Sequence, residues 1–250
     1  MWPGALKRAL LVVACGAVAA TLAGCESTES ESARIDREAA VAREHEPGAL
    51  KLGATSRDVR AARVTLLSGA GRGAVAIELR SSSAHAQAEV PVLVDVKGTS
   101  GRLLYSNQPG GTDPKLQRAP LVQPRSSTWW VNDQVLLNQP STGVTVRVGT
   151  GRTLAHVPRQ LAARMSSVER QGAASAVLGQ VTNESSSPQR DVAVYAVALQ
   201  GEKVVAAGRG QIAELPGRRG ASASFRVPLV GDPAKAKVEL TAVAPPRGGS

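Results

Sequence analysis

Few side chains in this sequence have the type and spacing to do chemistry. The three histidines, His45, His85 and His156, are isolated, and no two have the spacing of a metal site. His85 follows Ser81-Ser82-Ser83, where a serine nucleophile would need a base, but a serine run of this kind reads as a solvated turn. Gly69-Ala70-Gly71-Arg72-Gly73 is rich in glycine, yet it joins two strand-like runs and opens no helix, so it predicts a hairpin rather than a phosphate cradle. Asp95 has no carboxylate partner for acid–base work, and Asn183-Glu184-Ser185 reads as a turn. No catalytic set, metal or cofactor is expected. Two features remain: Cys25, which follows Leu22-Ala23-Gly24, and the pair Trp129-Trp130.

Residues 1–24 have the layout of a secretory signal: Lys7 and Arg8, then an apolar run from Ala9 to Ala20, then small residues. The run falls short of the roughly 20 residues of a membrane span. Leu22-Ala23-Gly24-Cys25 resembles a bacterial lipobox, which implies that Cys25 is diacylated and becomes the first mature residue. An ordinary signal peptide or an uncleaved anchor are the alternatives, and the placing of Leu22 and Ala23-Gly24 before Cys25 disfavours both. With Cys15 removed in the leader and Cys25 carrying lipid, no disulfide can form. The expected location is the cell envelope, with the chain anchored to the membrane through lipid on Cys25 and exposed outside the cytoplasm.

Without Lys7 and Arg8, 28 basic residues stand against 20 acidic ones, a net charge of +8. Such a chain can lie against anionic lipid or cell-wall polymer. Nucleic acid is not an expected partner, because basic residues form no tight cluster and aromatic residues are scarce.

The elements that position these residues read as strands. Residues 25–56 begin with an acidic, apolar-poor stretch at 26–33 that predicts a flexible tether, with a short helix from Ala33 to His45 ended by Pro47-Gly48. Beyond Arg57 the apolar residues recur with period two, as in Val90, Val92, Val94 and Val96, or Phe225, Val227 and Leu229. That period places one face of each strand on a core and the other towards solvent. Short strands separated by Gly, Pro, Ser and Asn predict an all-β sandwich or barrel.

The chain also repeats itself. Ala61-Ala62-Arg63 returns as Ala162-Ala163-Arg164, Ala74–Leu79 as Ala176–Val181, and Glu89-Val90-Pro91-Val92 as Asp191-Val192-Ala193-Val194. Two copies of one β-domain are expected, at 57–150 and 158–244, joined by a linker at 151–157 and followed by a tail at 245–250. The first copy carries an insertion near Gly110–Lys115. On this alignment Trp129 corresponds to Phe225 and faces the core. Trp130 then faces outward as the expected partner-binding residue, unless a loop or the 33–57 segment covers it.

The second copy resembles the FxLyD-type domain of bacterial envelope lipoproteins. The resemblance rests on Gly179-Gln180-Val181-Thr182-Asn183, Val192–Leu199, Gly201-Glu202-Lys203-Val204-Val205, Leu215-Pro216-Gly217 and Phe225–Leu229. It implies two tandem Ig-like β-sandwich domains of about seven strands each, and no catalytic residues. Neither copy carries the Phe-x-Leu-Tyr-Asp run that names the family. The expected function is that of a non-enzymatic lipoprotein that binds or adapts an envelope protein or cell-wall glycan; the alternative is a structural spacer or assembly factor.

Overall fold

The computed structural model describes residues 28–69, 72–158 and 161–246. The single α-helix among them, α1 (Thr28–His45), begins five residues before the expected one. It takes in Glu31, whose charge suits the positive end of a helix, and an Arg34–Glu38 pair at 3.0 Å supports its next turn. A tether through 26–33 is therefore replaced by helix from Thr28 on.

The fold itself starts at Ala49, before the expected boundary at 57. Leu50 and Leu52 are buried against Leu93, the Leu50 N–H donates to the Gln108 carbonyl at 2.8 Å, and Thr55 bridges to Gly149. This segment lies over a sheet face that the period-two pattern leaves to solvent.

All fourteen strands described are antiparallel to their neighbours, and the chain is all-β. In the first copy β1 (Val59–Gly69), β2 (Arg72–Ser81) and β6 (Ser127–Leu136) form one sheet. The facing sheet is centred on β3 (Gln87–Gly98), with β4 (Leu103–Ser106) and β5 (Arg118–Val122) along one edge and β7 (Ser141–Val148) and the short β8 (Arg152–Thr153) along the other. Val90, Val92, Val94 and Val96 of β3 pack against Val75, Ile77 and Leu79 of β2.

The second copy repeats this order. β9 (Leu161–Gln171), β10 (Ala174–Asn183) and β13 (Ser222–Gly231) match β1, β2 and β6; β11 (Gln189–Gln200), β12 (Lys203–Leu215) and β14 (Lys237–Val243) match β3, β4–β5 and β7. Its two sheets meet at one corner, where Ala206 pairs with Gly231. Gly231 has φ 97° and packs on the Val205 carbonyl, a place no side chain fits. Each copy thus has six principal strands among the described residues, one fewer than the resemblance implies. The first copy splits its fourth strand around residues 107–117. There the buried Asn107 side chain accepts from the Val94 N–H and donates to the Val92 and Leu116 carbonyls.

The repeat extends to backbone detail. Glu89 (φ 51°) and Asp191 (φ 53°), equivalent in the sequence alignment, both sit in the left-handed region. Each is skipped in the pairing of its strand at the same place, between Ala88 and Val90 in one copy and between Arg190 and Val192 in the other, and the register is the same on both sides. Aspartate is among the side chains that tolerate that conformation best, and neither residue is β-branched, a type for which it would be an outlier.

The copies are stacked sheet on sheet, with β11 and β12 against β2 and β6. Along β11, Val192, Val194 and Ala196 belong to the core of the second copy, whereas Ala193, Tyr195, Val197 and Leu199 join the core of the first. The expectation that one face of each run meets solvent therefore fails for β2, β3, β6 and β11, all buried on both faces over most of their length. Ala74 and Ala76, fully buried, are small enough for the sheets to approach there.

Candidate functional site

Cys25 lies outside the described residues. Trp130 is not on the surface: it is fully buried, and its Nε1–H donates to the Arg118 carbonyl of β5 at 3.2 Å, across the interior of the first sandwich. The register gives the reason. Trp130 pairs with Ile77, and Phe225 pairs with Gly179, the counterpart of Ile77 in the repeat. Trp130, not Trp129, thus takes the place of Phe225. A one-residue slip in aligning strands exchanges their faces, so the expected orientations of the two rings are reversed and Trp130 is withdrawn as a partner-binding residue. In the second copy, the Phe225 ring lies where any side chain at position 179 would collide with it.

Trp129 points to the second copy instead. It is 7 % exposed, and its Nε1–H donates to Glu239 Oε2 of β14 at 3.1 Å. The Arg63 guanidinium lies 5.7 Å from its ring centroid, within cation–π range. Arg63 Nη1 also donates to the Glu202 carbonyl at 2.9 Å, and its Nε lies 3.6 Å from Glu78. The Trp129 N–H holds the Glu239 carboxyl below the usual range, because a hydrogen bond to the charged form favours it.

A second polar group occupies the other part of this interface, and pattern reasoning did not find it. Tyr195 and Arg209 are paired residues on β11 and β12 and so share a face. The Arg209 guanidinium lies 3.9 Å from Asp113, an ion pair contributed by the insertion of the first copy. Lys115, from the same insertion, donates to Asp191 at 2.8 Å. The Gln211 amide, turned with its oxygen to the cations, accepts from Lys115 Nζ at 3.1 Å and Arg209 Nη2 at 2.8 Å. Two buried polar atoms here have no hydrogen-bond partner: Tyr195 Oη and Arg209 Nε. Burial pushes the Tyr195 hydroxyl far up, and raises the Asp133 carboxyl of β6 against the opposing pull of Arg209. The sequence signal was Arg209 itself, a lone charge inside the small, apolar run Val204–Gly210.

The remaining candidates are structural. Ser83 Oγ accepts from the His85 backbone N–H at 3.0 Å, a turn rather than a nucleophile. Gly69 and Arg72 are paired, so the glycine-rich run is a hairpin. The buried Asn183 donates to the Ser187 and Pro216 carbonyls and accepts from the Ser185 N–H, closing one end of its sandwich. Among the described residues, no three His, Cys, Asp or Glu side chains are grouped to hold a metal, and no helix is long and apolar enough to cross a membrane. Compared with known proteins, the chain matches no family model and no curated sequence.

Proposed function

We propose that this chain is a non-enzymatic lipoprotein of the cell envelope, anchored through lipid on Cys25 and acting as a binding or adaptor module for an envelope protein or cell-wall glycan. The observation that carries the reading is the run Leu22-Ala23-Gly24-Cys25 behind a short apolar stretch and two basic residues. Two acyl chains hold a protein far more stably than one, since each buried methylene adds about 0.8 kcal/mol. The antiparallel β-sandwich form of both copies supports the Ig-like domains that the FxLyD resemblance implies, although each copy has one strand fewer among the described residues.

A structural spacer or assembly factor is the second reading. It is favoured by the burial of both tryptophans and by the core shared between the copies, which suits a stiff body better than a pair of freely moving binding domains. Capture of membrane proteins with the anchored chain separates the two: a reproducible specific partner supports an adaptor, and loss of an envelope complex on deletion, with no captured partner, supports a spacer.

The anchor itself is tested by labelling cells with a fatty-acid analogue. The native chain is expected to carry label, and Cys25→Ser to carry none and to be released or left uncleaved. Label retained on Cys25→Ser would overturn the lipid assignment.

A further inference from the structure

The cations of this protein are unevenly paired. Among the described residues, four of the seven arginines of the second copy face a carboxylate: Arg170 lies 3.6 Å from Asp232, Arg190 3.8 Å from Glu214, Arg209 3.9 Å from Asp113 and Arg226 3.6 Å from Glu169. One end of the first copy is different. Four segments meet there: the approach to β1, the β2–β3 loop, the β5–β6 loop and β8. They are tied by backbone hydrogen bonds from Ser82 N–H to the Asp58 carbonyl (2.8 Å), Arg125 N–H to the Ser83 carbonyl (3.1 Å) and Leu154 N–H to the Ala86 carbonyl (2.9 Å).

This end exposes Arg57, Arg60, Arg80, Arg125 and Arg152, and Asp58 is the one carboxylate in its four segments. Arg60 and Arg80 are direct cross-strand partners, and Arg80 is in turn paired with Ser127, two residues after Arg125. Like charges placed opposite each other on a sheet repel. Glu78, 3.3 Å from Arg80, relieves part of this but is shared with Arg63. The result is a row of guanidinium groups across two neighbouring strands, Arg60 of β1 and Arg80 of β2, continued on to the adjoining loops, rather than a pocket. Such a row matches a surface of many mobile anions better than one compact ligand.

We propose that this end of the first copy docks on the anionic phospholipid headgroups of a bilayer. The proposal rests on the anchored reading only for the source of the lipid: a lipid on Cys25 would keep the chain at such a surface and raise the effective concentration of the patch there. Arginine suits the task because its planar fork donates two hydrogen bonds to one phosphate.

The test uses the mature chain, residues 25–250, with Cys25→Ser, so that binding does not depend on acylation. Its partitioning is measured on vesicles of phosphatidylcholine alone and with one third phosphatidylglycerol. Binding is expected to need the anionic lipid and to fall steeply with salt. Each basic residue near an anionic surface contributes roughly fivefold, so R60Q/R80Q/R125Q should weaken partitioning by about a hundredfold. The control K203Q/R218Q/R219Q removes the same charge from exposed positions of the second copy and should change it less than about threefold. Thermal melts verify folding, and R125Q, on a loop, gives an independent reading of about fivefold. Equal losses in both triple variants, equal binding to neutral vesicles, or tighter binding to soluble inorganic polyphosphate than to vesicles would each overturn the proposal. Failure here, with fatty-acid label still on Cys25, would leave the anchor standing.

Discussion

Replacing Trp130 should be the most damaging single change in the first sandwich. Its side chain is fully buried among Ile77 and the β3 valines, and its N–H satisfies the Arg118 carbonyl. Trp130→Ala removes the packed ring and leaves a cavity, a loss of about 4 kcal/mol. In a domain of this size that lowers Tm by roughly 8–16 °C. Trp130→Phe should cost much less, about 1–2 kcal/mol, chiefly for the lost hydrogen bond, because Phe225 fills the equivalent position in the second copy. Trp129→Phe should cost about 1 kcal/mol: it keeps the ring under Arg63 and loses only the bond to Glu239, whose side chain is 39 % exposed. The assay is urea unfolding followed by fluorescence. Residues 25–250 hold only these two tryptophans, so Trp129→Phe leaves Trp130 as the sole reporter, and its emission should be that of a buried indole. Because the core of the first copy takes in one face of β11 from the second, that reporter and far-ultraviolet circular dichroism should show one coincident transition. A smaller loss for Trp130→Ala than for Trp129→Ala would refute the register argument.

Tyr195→Phe should leave stability unchanged or raise it by about 1 kcal/mol, since the deleted hydroxyl is buried without a partner; a clear fall in a urea melt would show that Oη is satisfied. Burial raises the Asp133 carboxyl above its unfolded value. The stability linked to its protonated form is therefore full below the unfolded pKa, near 4, and is lost as pH rises through the raised folded pKa. Melts from pH 4 to pH 8 should show a smaller decline across that window for Asp133→Asn than for the native chain, and an unchanged slope would rule Asp133 out as its source.

The all-β class, the tandem repeat and the identity of most core positions were legible in the chain. Period two states which residues share a face, and two copies of one pattern state that two similar units will form. Even the equivalence of Glu89 and Asp191 was readable, although its meaning, a shared left-handed residue within the strand, was not. What only the tertiary structure decided was which face meets what. Alternation assigns residues to two faces but says nothing of what covers either one, so Leu50 and Leu52 over β3, and β11 against β2 and β6, could not be read from spacing. Likewise the position of Trp130 turned on a single residue of register. The segments flanking β6 and β13 match too loosely to set that register, which was settled by Trp130 meeting Ile77 as Phe225 meets Gly179. Tyr195, Arg209 and Asp133, distant in sequence, acquire a shared environment only where the two sandwiches exclude water together. Local pattern encodes periodicity, whereas burial of a second face is a property of the partner sheet.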